Sequence, residues 1–288
     1  MKKRENILQK SGVAALIAIF CCLLWGSAFP SIKAGYQLFA IPSEDTPAQI
    51  LFAGIRFALA GVMVIIAGSI LQKRFLKPSK KAIPKVLKLC LLQTVIQYVF
   101  FSILVSCIIF RLERLNSQKL LGCMIGFAGV VIVNLSGAMD MSFNLLGDGF
   151  LLISAFAYAL STVLIKIYGK DENPVMLSGY QFFAGGLVMI IIGLIIGGRI
   201  SSVTVQGILL LLYMGFISAG AYTLWGILLK YNPVSRIAVF GFFTPIFGVI
   251  LSALILKEGT SFDGKTLAAL ILVCIGTVIV NYEKSVKG

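Results

Sequence analysis

The chain has 288 residues, 59% of them hydrophobic and 12% charged, with a formal net charge of +14. Soluble domains carry about 25% charged residues, so this composition excludes an ordinary soluble fold and calls for lipid as solvent. The basic excess excludes a nucleic-acid module too, because such a module needs a basic face on a folded soluble core, and here the Lys and Arg residues fall in short gaps between long apolar runs.

In chain order, a basic start (Lys2, Lys3, Arg4) leads into a first apolar run at 12–33. It has the look of a signal sequence but no clear small-residue cleavage pattern, so it is read as an uncleaved first span. Further runs follow at 48–71, 86–110, 120–136, 149–166, 175–196, 207–229, 234–256 and 267–282. A helix crosses the hydrocarbon core with about 20 residues, so these nine segments predict an all-α, polytopic transmembrane bundle with short loops. Glycines within them (Gly54, Gly61, Gly185, Gly186) predict close helix packing, and Pro30 and Pro245 predict local kinks. The six cysteines (Cys21, Cys22, Cys90, Cys107, Cys123, Cys274) all sit in apolar runs, and there is no His. They read as small hydrophobes, and neither a disulfide, a metal site nor a cofactor is expected.

An internal repeat organises the chain. Gly-Val-Val-Ile-Val-Asn at 129–134 answers Gly-Thr-Val-Ile-Val-Asn at 276–281. Ile-Arg-Phe-Ala-Leu-Ala-Gly at 55–61 aligns with Tyr-Gln-Phe-Phe-Ala-Gly-Gly at 180–186, and 25–33 aligns with 158–166. Two related halves follow, 1–136 and 147–288, the plan of secondary transporters with a site between the halves. The first half is shorter. Phe101 can align with Trp225 or with Phe247, a difference of 22 residues, so a span end, a turn and a span start are missing around 101–102.

Charge counting bears on the gap. With a cytoplasmic N-terminus and the lost turn restored to give ten spans, 20 basic residues lie inside and 4 outside, and Arg56 lies within a span. Strict alternation of nine spans gives 14 inside and 10 outside. The positive-inside bias favours the first arrangement, and the acidic loop with Asp140 and Asp148 then lies outside. Segment 86–110 is the point of conflict. Its length suits one crossing, yet Lys85 and Lys88 before it and Arg111 and Arg114 after it both belong to the cytoplasmic side. A re-entrant hairpin and a single strained crossing both remain open.

Several pieces, in order, resemble the EamA-type drug/metabolite transporter superfamily: Leu-Trp-Gly-Ser-Ala-Phe-Pro at 24–30, Arg-Phe-Ala-Leu-Ala at 56–60, and the run 120–134 with Gly126 and Gly129. Pro245 and Glu258 around the later apolar segment and the closing 276–281 also fit. The resemblance covers nearly the whole chain and departs from the family plan at the missing turn. It implies ten spans as two inverted five-helix repeats. It also implies carriage of metabolites, often amino acids or related compounds, across the bacterial cytoplasmic membrane.

Arg56 is the one charge well inside a span. A central Arg costs roughly 2.5–3.5 kcal/mol on insertion scales, so it is expected to face the bundle or a wet cavity and to bind an anionic substrate group; a purely structural role, bonded to backbone carbonyls, is the alternative. Gln181 is its partner by repeat. Trp25, Tyr98, Tyr158, Tyr180, Tyr222 and Trp225 form an aromatic set on the repeated spans, suited to a small amphipathic ligand or to ordinary packing. Gln93 and Gln97 stand one helical turn apart beside the gap. Lys33 and Lys166, at span ends, read as interfacial anchors. The substrate-binding candidates are therefore Arg56, Trp25, Gln97, Tyr98, Tyr158, Gln181, Tyr222 and Trp225.

No nucleophile elbow, phosphate loop or intramembrane acid is present in the sequence, so ATP coupling and an obvious proton relay are not expected. The expected partners are a small molecule, the lipid bilayer and a second copy as a homodimer, without nucleic acid. The leading reading is a secondary transporter working by alternating access. The competing one is a shortened relic or structural membrane protein that no longer transports. A membrane-embedded enzyme is a third class, opposed by the lack of a polar catalytic cluster.

Overall fold

A computed structural model describes residues 7–42, 45–90, 147–256 and 264–281, with isolated positions at 121, 124, 125 and 128. The described helices are α1 (Ser11–Leu38), α2 (Thr46–Leu71), α3 (Ile83–Leu89), α4 (Gly147–Asp171), α5 (Pro174–Ile195) and α6 (Val205–Tyr231), followed by α7 (Val234–Ala238), α8 (Phe243–Leu256) and α9 (Gly264–Asn281). No strand occurs among the described residues. The all-α membrane bundle expected from the hydropathy pattern is the fold.

Local chemistry starts these helices where the apolar runs begin. Asp45 Oδ1 accepts from Ala48 N at 2.9 Å, Asn173 Oδ1 from Val175 N at 2.9 Å, and Thr204 Oγ1 from Gly207 N at 3.0 Å. Each satisfies an amide that the first turn leaves without an intrahelical partner. Pro47 and Pro174 occupy first-turn positions, where a missing N–H costs nothing. The outer faces expose Leu16, Ile66, Ile191, Leu194, Leu209 and Phe216, which is what a lipid-facing surface requires.

One expectation needs correction, and the kink expected at Pro245 takes a definite form. α1 continues to Leu38 rather than ending near Lys33. Lys33 is exposed on the side of α1 away from Gly35, where an added Cβ would lie 2.8 Å from Phe52 Cζ; a long aliphatic stem lets its ammonium reach water without ending the helix. The segment 234–256 is not one regular helix. α7 passes into a 3-10 turn, Val239–Phe242, before α8. Pro245 lies in the first turn of α8 and has no N–H for the carbonyl four residues earlier, so the break falls just before it. Pro30, by contrast, is accommodated inside α1. Nearby, the Ser27 and Ser31 hydroxyls donate to Leu24 O and Ser27 O, each at 2.8 Å.

α2 and α5 cross as an antiparallel pair in close contact. The reason is a glycine every seventh residue on each: Gly54, Gly61 and Gly68 on one, Gly179, Gly186 and Gly193 on the other. A Cβ added at Gly54 would lie 2.7 Å from Ile190 N, and one at Gly193 would lie 2.8 Å from Leu51 N. A Cβ at Gly61 would collide with the backbone of Phe183 and Gly179, and one at Gly186 with Ala58 and Gly54. Small residues let backbones approach where lipid supplies no hydrophobic drive. The alignment of 55–61 with 180–186 places Gly54 on Gly179, Gly61 on Gly186 and Gly68 on Gly193. Gly54 meets Gly186 and Gly61 meets Gly179, the exchange that a two-fold axis across the pair would produce.

One end of the bundle is polar and basic. Lys85 Nζ donates to Glu172 Oε1 at 3.0 Å and lies 3.9 Å from Asp171 Oδ2. Asn173 Nδ2 donates to Gln72 Oε1 at 2.7 Å, and Asn232 Nδ2 to Leu8 O at 2.9 Å. These bonds bring the start of α1, the end of α2, the start of α3, the end of α4 and the end of α6 to one face. α4 has 25 residues, about 37 Å of helix, so its first residue lies at the opposite face. Leu89 and Gly147 therefore belong to chain segments that begin at opposite ends of the bundle. The intervening calls, including most of segment 86–110, run 120–136, Gln93, Gln97 and Tyr98, lie outside the described residues.

Candidate functional site

Four helices converge on one aromatic cluster. Phe57 on α2, Tyr158 on α4, Phe182 on α5 and Tyr222 on α6 form a buried group, with Trp25 of α1 packed against it. Tyr222 is the common neighbour. Its ring stands edge-on to Trp25 at 5.0 Å and to Phe182 at 4.8 Å. Trp25 in turn meets Trp225 edge-on at 4.9 Å, an arrangement in which the ring quadrupoles attract. Trp225, one helical turn after Tyr222, is 2% exposed.

Phe57 and Phe182 stack with ring centroids 5.6 Å apart and planes 8° from parallel. They are the same position of the repeat, and they meet where α2 and α5 cross. Neither is among the sequence candidates. The signal was present: Phe57 and Phe182 are the identical residue in the aligned blocks, directly after Arg56 and Gln181.

Arg56 lies beside this pair. Its guanidinium carbon is 4.4 Å from the Phe57 ring centroid, a cation–π distance. The phenols of Tyr36 and Tyr222 lie within electrostatic range of it. No acidic side chain pairs with Arg56 among the described residues, and its Nε is buried with no acceptor there. Trp25 Nε1 and Trp225 Nε1 are likewise buried N–H groups with no acceptor among the described residues. Such a donor ordinarily finds a partner. Three in one neighbourhood leave a strongly donating, positively charged patch against an aromatic wall.

Of the sequence candidates, the structure groups Arg56, Trp25, Tyr158, Tyr222 and Trp225. Gln181 is buried at 1% exposure next to Phe182 and is engaged within the protein. Gln97 and Tyr98 lie outside the described residues. Tyr180 packs on the main core instead. Lys166 does more than anchor at an interface: its Nζ donates to Leu229 O at 3.1 Å and to Asn232 O, holding the C-terminal end of α6, where unpaired carbonyls and the helix dipole favour a cation. Tyr36 and Tyr213 enter unannounced. The Tyr213 hydroxyl is 2.9 Å from Ser27 Oγ, and nothing in the sequence links those two residues across the bundle.

Residues 145–282 match the model of the EamA-like transporter family. That match takes in just under half of the chain, its second half, and makes the chain similar to the EamA-type drug/metabolite transporter superfamily. This permease is 27% identical to an uncharacterized transporter, YvbV, of Bacillus subtilis (strain 168), over 97% of this chain and 95% of that one. It is 25% identical to a probable amino-acid metabolite efflux pump of Escherichia coli (strain K12), over 97% of this chain and 98% of the pump. A protein crystal structure, 16% identical, superposes with a TM-score of 0.72 over 93% of this chain and 97% of its own, which shows a shared fold. The aligned stretch with YvbV spans 304 positions, more than the 288 residues of the permease. The relative therefore carries residues for which the permease has none.

Proposed function

We propose that this permease is a secondary transporter of small metabolites in the bacterial cytoplasmic membrane, working by alternating access between two inverted halves. The observation that carries the reading is the α2–α5 crossing. Equivalent glycines of the two halves exchange contacts across it, and the donor-rich aromatic cluster sits beside the same crossing. Binding at a repeat interface, with one half rocking against the other, is how such folds move solutes. The substrates named for the Escherichia coli pump make amino acids and their derivatives the first class to assay. The chemistry is carriage rather than catalysis.

The N-terminal face is cytoplasmic. Among the described residues all Lys and Arg lie on that face except Arg56, Lys33, Arg199 and Lys265, the asymmetry that the positive-inside bias produces.

The test is counterflow in proteoliposomes preloaded with unlabelled amino acids and aromatic acids, following entry of the labelled compound. Accumulation above protein-free liposomes supports the reading, and none across that panel favours the transport-inactive alternative. That second reading draws on one observation, the residues present in YvbV and missing here.

A further inference from the structure

We infer that the cluster around Arg56 is an anion-selective site: it takes a carboxylate attached to an aromatic or apolar body, and it rejects the same body carrying an ammonium. This rests on the transport reading and names the substrate class of that site.

Three facts lead there. Three buried donors at this spot have no acceptor among the described residues: Arg56 Nε, Trp25 Nε1 and Trp225 Nε1. A guanidinium and an indole N–H have no acceptor to offer, so the complementary group must bring lone pairs, and the buried charge asks for a negative one. A carboxylate meets both needs with charge-assisted bonds. The adjoining Phe57, Phe182 and Tyr222 rings supply an apolar wall for the remainder of the ligand.

The rejection of ammonium follows from what is missing. None of the 11 acidic residues of the chain falls in the central part of an apolar segment, and no carboxylate among the described residues pairs with Arg56, so none of these is at hand to pair a ligand cation. An aromatic face could hold one, but the Phe57 face already carries the Arg56 guanidinium at 4.4 Å, and a second cation there meets repulsion in a medium that screens poorly. A zwitterionic amino acid therefore gains at its carboxylate and loses at its ammonium.

The chain carries its own reporter. It has two tryptophans, and both are in this cluster. Intrinsic tryptophan emission from the full-length protein in lipid vesicles, with no other protein present, consequently reads this site alone. The probes are phenylacetate, phenylalanine and phenethylamine, which share one ring and differ in charge. Phenylacetate is expected to change the emission saturably, phenylalanine to bind at least tenfold more weakly, and phenethylamine to produce no saturable change. Arg56→Gln should weaken phenylacetate at least tenfold, with Arg56→Lys in between, because a point charge keeps the attraction but loses the planar fork.

Equal responses to the three probes, a preference for the amine, or no response to any of them overturns the inference. So does an Arg56→Gln protein that elutes as a monodisperse peak and binds phenylacetate as the native chain does. Should Arg56→Gln not fold, the ranking of the three probes on the native protein decides the matter. The two readings separate cleanly. Phenylacetate that binds without crossing proteoliposomes preserves the site and defeats transport, whereas counterflow of other solutes with no anion preference preserves transport and defeats the site.

Discussion

α2 and α5 make the most instructive comparison in the molecule. Both begin behind a proline in the first turn and a side-chain cap, both carry three glycines at seven-residue spacing, and both place a phenylalanine at the crossing. They differ one residue before that phenylalanine. α2 has Arg56, which faces the aromatic cluster without an acidic partner among the described residues; α5 has Gln181, buried and engaged. The scaffold is symmetric and the chemistry is not. Close packing needs only the absence of side chains, which the two halves can share, whereas recognition of an asymmetric ligand needs different groups on the two sides of the axis.

The comparison breaks most severely where the shared element is damaged. Gly61→Leu or Gly186→Leu would drive a side chain into the backbone of the partner helix, and overpacking of a tight interface costs about 1–3 kcal/mol or more. The folded fraction recovered in detergent should fall sharply, measured by size-exclusion fluorescence. Gly12→Leu, where nothing lies within 4 Å of an added Cβ, should leave recovery unchanged. If Gly12→Leu and Gly61→Leu behave alike, the seam is not what holds α2 to α5.

The asymmetric element is probed by moving it. The double variant Arg56→Gln with Gln181→Arg carries the charge across the axis. It should recover part of the phenylacetate binding that Arg56→Gln alone loses, read by tryptophan emission. No recovery would mean that the halves are inequivalent at this position despite their packing.

The sidedness of the chain between 86–110 and 120–136 sharpens the inverted plan. With the six native cysteines replaced, Ser117→Cys should resist an impermeant maleimide in intact cells and react once the membrane is opened. Labelling from outside would mean a single crossing at 86–110 and would favour the transport-inactive reading. The smallest effect is expected at the polar face. Glu172→Gln removes the charge that meets Lys85 at 3.0 Å. Partly exposed ion pairs contribute about 0.2–1 kcal/mol, so the thermal midpoint should drop by a degree or two at low salt and less at high salt.

Much of this was legible before any coordinates. Apolar runs of span length fix helices because lipid offers the backbone no other partner, and α1, α2, α5 and α6 fall within a few residues of their predicted bounds. Arg56 announced itself because a lone charge in a span needs a reason to be there. Trp25, Tyr158, Tyr222 and Trp225 were visible as repeated aromatics. Phe57 and Phe182 were not singled out, since a phenylalanine in an apolar run looks like its neighbours until another ring is placed against it. The 3-10 turn before Pro245 was anticipated only as a kink of unstated form.

Composition and spacing alone dictated the solvent, the helical class and the presence of one costly intramembrane charge. These depend on local composition and on spacing along the chain, which a sequence records directly. The tertiary structure alone decided that equivalent glycines meet in exchange, that Phe57 stacks on Phe182, and that three donors from α1, α2 and α6 share one neighbourhood. Those are relations between residues far apart in the chain. In a bundle where nearly every helix is apolar on all sides, no periodicity says which face meets which; close backbone approach and the pairing of a few polar groups make that choice.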